Sequence, residues 1–251
     1  MPMDKVDLWK KAVSLRKQLG ADATCPIDIF ALAYSVDRLS MVYYPMGDRL
    51  SGICVKDKSN NLIAINSLMT LGRQRFSMAH EFYHLYYDDD RLTAICAKKI
   101  GAGTDKETEA DQFASYFLMP PDALSDMIGH MKKPKKRLSV QDVVRIEQYF
   151  QVSRQAVLYR LIEENELTLQ EAQSMRQNVI LSAATLGYDD KLYRPSPKER
   201  QYGTYGYYIL QADRAMERGL ISSGKYEELL ISAYRPDLVY GDLTGGGELL
   251  D

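Results

Sequence analysis

Arg73-Gln74-Arg75-Phe76-Ser77-Met78-Ala79-His80-Glu81-Phe82-Tyr83-His84 decides how this chain is read. From Gly72 onward the pattern is helical, with Phe76, Met78, Phe82 and Leu85 as an apolar flank. On an α-helix, residues four apart lie about 40° apart around the axis and one turn along it, so His80 and His84 can share one metal ion. Glu81 follows His80 at about 100°, where its carboxylate reaches a water at that ion. The chain has 3 histidines, and two of them fall at this spacing with a glutamate after the first. An idle polar triplet on an apolar helix would be disfavoured by desolvation. The expected roles are therefore zinc ligands for His80 and His84 and a general base for Glu81, which takes a proton from water attacking an amide carbonyl and returns it to the leaving amine.

Three protein ligands plus water is the usual catalytic set, so one ligand is still to be found. No histidine follows His84 at short range, which excludes a three-histidine site of the H-E-x-x-H-x-x-G-x-x-H type. The helical stretch Glu107-Thr108-Glu109-Ala110-Asp111-Gln112-Phe113-Ala114-Ser115-Tyr116-Phe117-Leu118 offers three carboxylates. Glu107 and Asp111 share a face, and a carboxylate one turn beyond a ligand can hold a histidine's free N–H. Glu107 is thus assigned as third ligand and Asp111 as the group behind a histidine. Glu109 points nearly opposite Glu107 and is the fallback ligand, its plainer reading being a solvated face.

Around this pair of helices the chain divides as follows. Asp4 to Gly20 has Leu8, Ala12, Leu15 and Leu19 at helical spacing, and a second helix is expected after Cys25-Pro26 through Ile29, Leu32 and Ala33, with proline at its start. Ser40 to Tyr44, Ser51 to Val55 and Leu62 to Ile65 read as strands, separated by Gly47-Asp48 and Ser59-Asn60-Asn61, and predict a small antiparallel meander. Asp88-Asp89-Asp90 ends the histidine helix, and Gly101-Ala102-Gly103-Thr104 leads into the helix from Lys106 to Leu118, closed by Met119-Pro120-Pro121. The basic run Lys132-Lys133-Pro134-Lys135-Lys136-Arg137 marks a candidate boundary. Beyond it, Val140 to Phe150, a turn at Gln151-Val152-Ser153 and Arg154 to Glu164 read as helix, turn, helix. The tyrosine-rich stretch after about Gln177 reads as ordered but irregular, followed by helices from Tyr208 to Glu217 and Lys225 to Ala233, and a disordered tail is expected at Gly245-Gly246-Gly247. The expected division is residues 1–130 for the metal-binding domain, 131–176 for the helix-turn-helix-like region, and 177–251 as an extension without an assigned role.

Composition bounds what such a chain does. The hydrophobic fraction of 45% and charged fraction of 26% are ordinary for a folded globular protein. With 32 basic against 34 acidic side chains, gripping nucleic acid is not the expected main task. Three separated cysteines, Cys25, Cys54 and Cys96, form no CxxC pair, and the start Met1-Pro2-Met3-Asp4-Lys5 has no apolar core behind it. No apolar run approaches the roughly 20 residues of a membrane span. A soluble cytoplasmic protein is expected.

The stretch Arg73 to His84, the stretch Glu107 to Ala114, the ending Leu118-Met119-Pro120 and the upstream Leu62-Ile63-Ala64-Ile65-Asn66 together resemble the ImmA/IrrE family of zinc metallo-endopeptidases, over about residues 26 to 165. The resemblance implies an α+β, zincin-like domain of helices on a small, mainly antiparallel sheet, followed by a helix-turn-helix-like helical region. It implies one zinc ion bound by His80, His84 and a glutamate, and a protein substrate. Members of that family typically cut helix-turn-helix repressors of mobile elements or stress-response genes, and some belong to toxin–antitoxin-like pairs. Asp111 departs from the asparagine common there, while keeping a hydrogen-bonding group. Larger members carry a C-terminal sensor domain, for which the last ~75 residues here are short against typical domain sizes.

Other features carry plainer readings. Arg154, Gln155, Tyr159 and Arg160 on the second helix of the helix-turn-helix are candidate DNA contacts, whereas Val157, Leu158, Leu161 and Ile162 have core spacing; DNA is possible but not favoured. His130, at a helix end, reads as a capping or surface residue. A tyrosine between Tyr202 and Tyr208 is a candidate donor to a reacting oxyanion, with aromatic packing the plainer reading. Cys54 is expected on an edge strand, and neither it nor Cys96 has metal-pair spacing. A DNA- or partner-binding regulator with a vestigial zinc site is the alternative function. It is disfavoured because His80, Glu81, His84 and Glu107 are all present.

Overall fold

The computed structural model describes residues 4–88, 92–97, 100–101, 104–131 and 137–241. Two short helices open the chain, each started by a carboxylate. Asp4 accepts from Val6 and Asp7 N–H at the head of α1 (Lys5–Gln18), and Asp28 accepts from Phe30 and Ala31 N–H at the head of α2 (Ile29–Ser35). The second helix therefore starts at Asp28 and not at Pro26. A side chain that satisfies two orphan N–H groups is a stronger start than a ring that merely lacks one.

Strands β1 (Leu39–Tyr44), β2 (Leu50–Lys56) and β3 (Asn61–Asn66) come next. They are followed by α3 (Leu71–Tyr87), β4 (Thr93–Ala97), α4 (Asp105–Leu118), α5 (Pro121–Met131), α6 (Val140–Phe150) and α7 (Arg154–Glu163). After α8 (Leu169–Ser174) and α9 (Val179–Ala184) come β5 (Gly203–Gly206), α10 (Tyr207–Glu217), α11 (Ser223–Ser232) and α12 (Asp237–Tyr240). The basic run at 132–136 and the glycines at 245–247 lie outside the described residues, as do Asp89, Asp90, Ala102 and Gly103.

The fold is mixed α and β, with a helical region after the sheet, and the five strands lie in the order β4-β2-β3-β1-β5. Three of the four pairings are antiparallel; β1 and β3 run parallel. The expected meander is thus incorrect. β2 turns back as a hairpin and inserts β3 between itself and β1. The Asn66 side chain at the end of β3 holds that arrangement, accepting from Met46 N–H at 3.1 Å and donating to the carbonyls of Gly47 and Leu50, both at 2.7 Å. Interior placement also corrects the view of Cys54, which is buried on a central strand and not at an edge. The sequence reading missed β4 and β5. Each is short, and β5 is the glycine-flanked Gly203-Thr204-Tyr205-Gly206, a poor strand by propensity that pairing with β1 imposes.

Helix α3 packs beneath β2 and β3, and α4 packs against α3 and α1. Phe82 meets Phe117 edge-on at 5.8 Å, and Tyr83 tilts against Phe113 at 5.7 Å. Aromatic pairs of this kind add about 0.5–1.5 kcal/mol each beyond area burial, and these lock the two site-bearing helices in register. One buried cluster runs from Leu8 and Met41 through Phe82 and Phe117 to Phe150, Val157 and Leu161. The helix-turn-helix-like segment therefore shares its core with α3 and the sheet. Among the described residues no helix is long and apolar enough to cross a membrane.

The two regions meet tightly at Gly72, where an added Cβ would lie 2.7 Å from Ser153 N and 2.9 Å from the Val152 carbonyl carbon. These are backbone atoms of the α6–α7 turn and cannot rotate aside. Gly72→Ala is expected to lower unfolding stability by about 1–3 kcal/mol, as overpacking does. A denaturant titration with an unchanged midpoint would refute the contact.

Candidate metal centre

Hydrogen bonding outside the helix sets the start of α3. Gln74 donates its amide to the carbonyls of Ser67 and Met69 at 3.3 and 2.6 Å, tying the loop after β3 to the first turn. Leu71 N–H donates to Arg194 O at 2.8 Å. Residues Gly72 to His84 are then buried without interruption. A helix wrapped on all sides carries its functional groups inside the molecule and must satisfy them there.

The rings of His80 and His84 converge. Their Nε2 atoms are 3.2 Å apart, and Glu107 brings Oε2 to 3.2 Å from His80 Nε2 and Oε1 to 3.6 Å from His84 Nε2. Zinc–ligand bonds of about 2.0–2.1 Å at tetrahedral angles separate neighbouring ligand atoms by roughly 3.4 Å, so this triangle suits one such ion. The far side of each ring is held by a carboxylate. His80 Nδ1 is 2.8 Å from Asp111 Oδ1, and His84 Nδ1 is 3.0 Å from Asp88 Oδ2. A proton on each Nδ1, donated to those oxygens, leaves each Nε2 lone pair facing the centre. Asp111 is itself anchored, its Oδ2 accepting from Gly101 N–H at 2.6 Å.

Glu81 lies on the neighbouring face, with no exposed surface, beneath β2. One carboxylate oxygen, Oε2, is 3.4 Å from Cys96 Sγ; the other, Oε1, is buried without a hydrogen-bond partner. Gly52 makes room for it, since a Cβ there would stand 2.5 Å from Oε1. Burial pushes the Glu81 carboxyl up to about 7, against the pull of His80. Burial also opposes protonation of His80, but the Asp111 and Glu107 carboxylates outweigh it and set its pKa at about 9. His84 is lowered, by burial and then by the charge on His80. The His80 direction reports the carboxylates gathered around it, whereas those of Glu81 and His84 report burial first. An orphaned carboxylate oxygen beside three convergent donors fits a divalent metal and the water it activates.

His80, Glu81, His84, Glu107 and Asp111 are brought together. Glu109 is not; its Oε2 accepts from Tyr83 OH at 2.5 Å and lies 3.5 Å from Lys106 Nζ. The tyrosine candidates are elsewhere. Tyr202 and Tyr205 line a surface cavity of about 1130 Å³ with Tyr34, Tyr43 and Gln74, and Tyr207 and Tyr208 line another of about 600 Å³. His130 is exposed, with Nδ1 2.7 Å from Asp126 O. Among the proposed DNA contacts, Arg154 is buried in an ion pair with Glu147 and Arg160 lies 4.3 Å over the Tyr116 ring. Tyr159 donates to Gln112 at 3.2 Å, and Gln155 alone of the four is exposed. Both arginines are thus engaged with internal partners.

Three contributors escaped sequence reading. Asp88 was read as the end of a helix, although its spacing of four from His84 was the available signal. Gly52 and Cys96 lie on strands far from the motif in sequence, and only the β2–β4 pairing Gly52↔Cys96 brings both to Glu81.

The chain is similar to known metallopeptidases. The family model described as Peptidase M78, IrrE N-terminal-like domain, matches residues 27–162, more than half of the chain. The radiation response metalloprotease IrrE of Deinococcus deserti is 29% identical over 140 residues, covering 54% of this chain and 47% of that protein. Its counterpart from Deinococcus radiodurans is 31% identical over 141 residues, covering 55% of this chain and 40% of that protein. The match thus spans less than half the length of either relative.

If the two rings hold a metal, Asp111→Ala and Asp88→Ala should each weaken zinc binding by about 10–100-fold in competition with a chromogenic chelator, because the freed ring loses its tautomer and orientation. Unchanged affinity in both variants would remove the carboxylates from the site.

Proposed function

This chain belongs to the Peptidase M78 family, and on that premise we propose that it is a zinc-dependent endopeptidase holding one ion through His80, His84 and Glu107, with Glu81 as its general base. The observation that carries the reading is Glu81 Oε1, a fully buried carboxylate oxygen without a partner, beside the converging His80, His84 and Glu107 donors. A buried acceptor left open is costly, and it is retained where its partner arrives with the reaction.

Zinc supplies Lewis-acid polarisation of the scissile carbonyl and of the attacking water. The chain's own residues do the rest. Glu81 accepts the water proton on its carboxylate and delivers it to the leaving amine nitrogen. Asp111 and Asp88 keep the proton of each imidazole on Nδ1. Gly52 fixes how deep the Glu81 carboxylate can sit, and burial of α3 keeps bulk water from competing for it.

The substrate we propose is a protein, a helix-turn-helix repressor or antitoxin encountered in the cytoplasm. The resemblance to the ImmA/IrrE family supports that choice. Free Cys25, Cys54 and Cys96 accord with a reducing compartment. A DNA-binding regulator with a vestigial site is less supported, because Arg154 and Arg160 are committed to internal partners.

Co-expression with a helix-turn-helix protein encoded beside this one, with the cut mapped by mass spectrometry, tests the proposal. Glu81→Gln should keep one equivalent of zinc and lose about 10²–10⁴-fold in cleavage rate, the usual weight of a general base. Cleavage by that variant at the wild-type rate would overturn the mechanism. Gly52→Ala should also slow cleavage with zinc retained, because the added methyl displaces the base.

A further inference from the structure

Three protein ligands would leave one of zinc's usual four positions open. Cys96 lies beside both the three donors and the proposed base. Its Sγ is 3.4 Å from Glu81 Oε2. It also belongs to a set of four donors, one each from His80, His84, Cys96 and Glu107, that all lie within 4.8 Å of one another. The thiol is fully buried, and the Glu81 oxygen that it does not touch is the unpartnered one. A zinc–sulfur bond of about 2.3 Å and zinc–nitrogen bonds of about 2.0–2.1 Å put tetrahedral S and N roughly 3.5 Å apart, so a displacement on the order of 1 Å brings Sγ to bonding distance. Strand β4 can supply it. Among the described residues it is an edge strand, paired with β2 alone, and its Ile95 is 62% exposed.

We propose that Cys96 is an alternative fourth ligand which closes the centre and renders the peptidase latent. This rests on the His80, His84 and Glu107 reading above and adds regulation to it. Closure transfers the thiol proton from Sγ to Glu81 Oε2 and forms a sulfur–zinc bond as the water in that position leaves; no electrons change hands. One movement therefore removes the open position and neutralises the base. The closed form has four protein ligands, as structural zinc sites do, whereas the open form has three, as catalytic sites do. Arrival of a substrate carbonyl reverses the exchange.

The experiment is to load the full chain with cobalt(II) in place of zinc and record its absorption. Visible d–d bands report occupancy of the centre, and a thiolate ligand adds an intense near-ultraviolet charge-transfer band. The wild type should show both. Cys96→Ala and the near-isosteric Cys96→Ser should keep the visible bands and lose the near-ultraviolet one, with Cys25 and Cys54 still present as internal controls. Visible bands without the near-ultraviolet band in the wild type would overturn closure while leaving the three-ligand site standing, as would a near-ultraviolet band that survives in Cys96→Ala. Failure of the wild type to take up cobalt would overturn the metal site and closure together. In a supporting measurement, Cys96→Ala should surrender zinc to a competing chelator about 10–100-fold more readily, a loss at least as large as that of an outer-shell partner.

Discussion

Glu81 brings a carboxylate to complete burial beneath a β-sheet, and the desolvation of that group is the constraint around which the rest is arranged. A charged carboxylate in such a place is tolerated only with compensation close at hand. The chain provides it unevenly. One oxygen has a thiol, the other has a cavity shaped by the absence of a side chain at Gly52, and Arg73 and His80 lend positive charge. The two rings beside it face their Nε2 atoms inward because two further carboxylates hold them from behind. The result is a pocket with more acid than base among its closest groups, an arrangement that a divalent cation completes.

That pocket needs rigid walls. α3 is covered by β2 and β3 above, by α4 through Phe113 and Phe117, and by the α6–α7 turn at Gly72. The helix-turn-helix-like segment serves as a buttress here. Arg154 and Arg160 are buried, Arg154 on Glu147 and Arg160 on Ser115 and Glu164. Such pairs contribute modestly to stability and break expensively when one partner is lost. They leave little of the second helix to read a DNA groove.

The C-terminal segment also belongs to the body of the protein. β5 closes one end of the sheet against β1, Arg235 lies 4.6 Å over the Tyr205 ring, and Tyr205 packs on Tyr43 and Tyr34. The sheet thus ends in an aromatic cluster on one side and in the exposed β4 edge on the other. The proposed site lies toward the β4 edge, on the far side of the sheet from β5.

By itself the sequence determined the parts of the site that are local. His80, Glu81 and His84 sit within five residues, and Glu107 and Asp111 within five more, so helical periodicity alone sets the relation within each group. The same periodicity located α3, α4, α6 and α7 to within a residue or two. What lay beyond it was decided by contacts between distant segments. β3 inserts between β1 and β2 because Asn66 fastens the loop that precedes β2. Asp28, and not Pro26, starts α2 because its carboxylate can reach two N–H groups. The arginines of the helix-turn-helix are internal because Glu147 and Ser115 are there to receive them. Gly52 and Cys96 meet at Glu81 only through the pairing of β2 with β4, a register that no spacing along the chain encodes. The spacing of the proposed ligands within each helix is a property of short-range helical geometry. The environment of Glu81, the proposed base, is a property of the sheet folded over it.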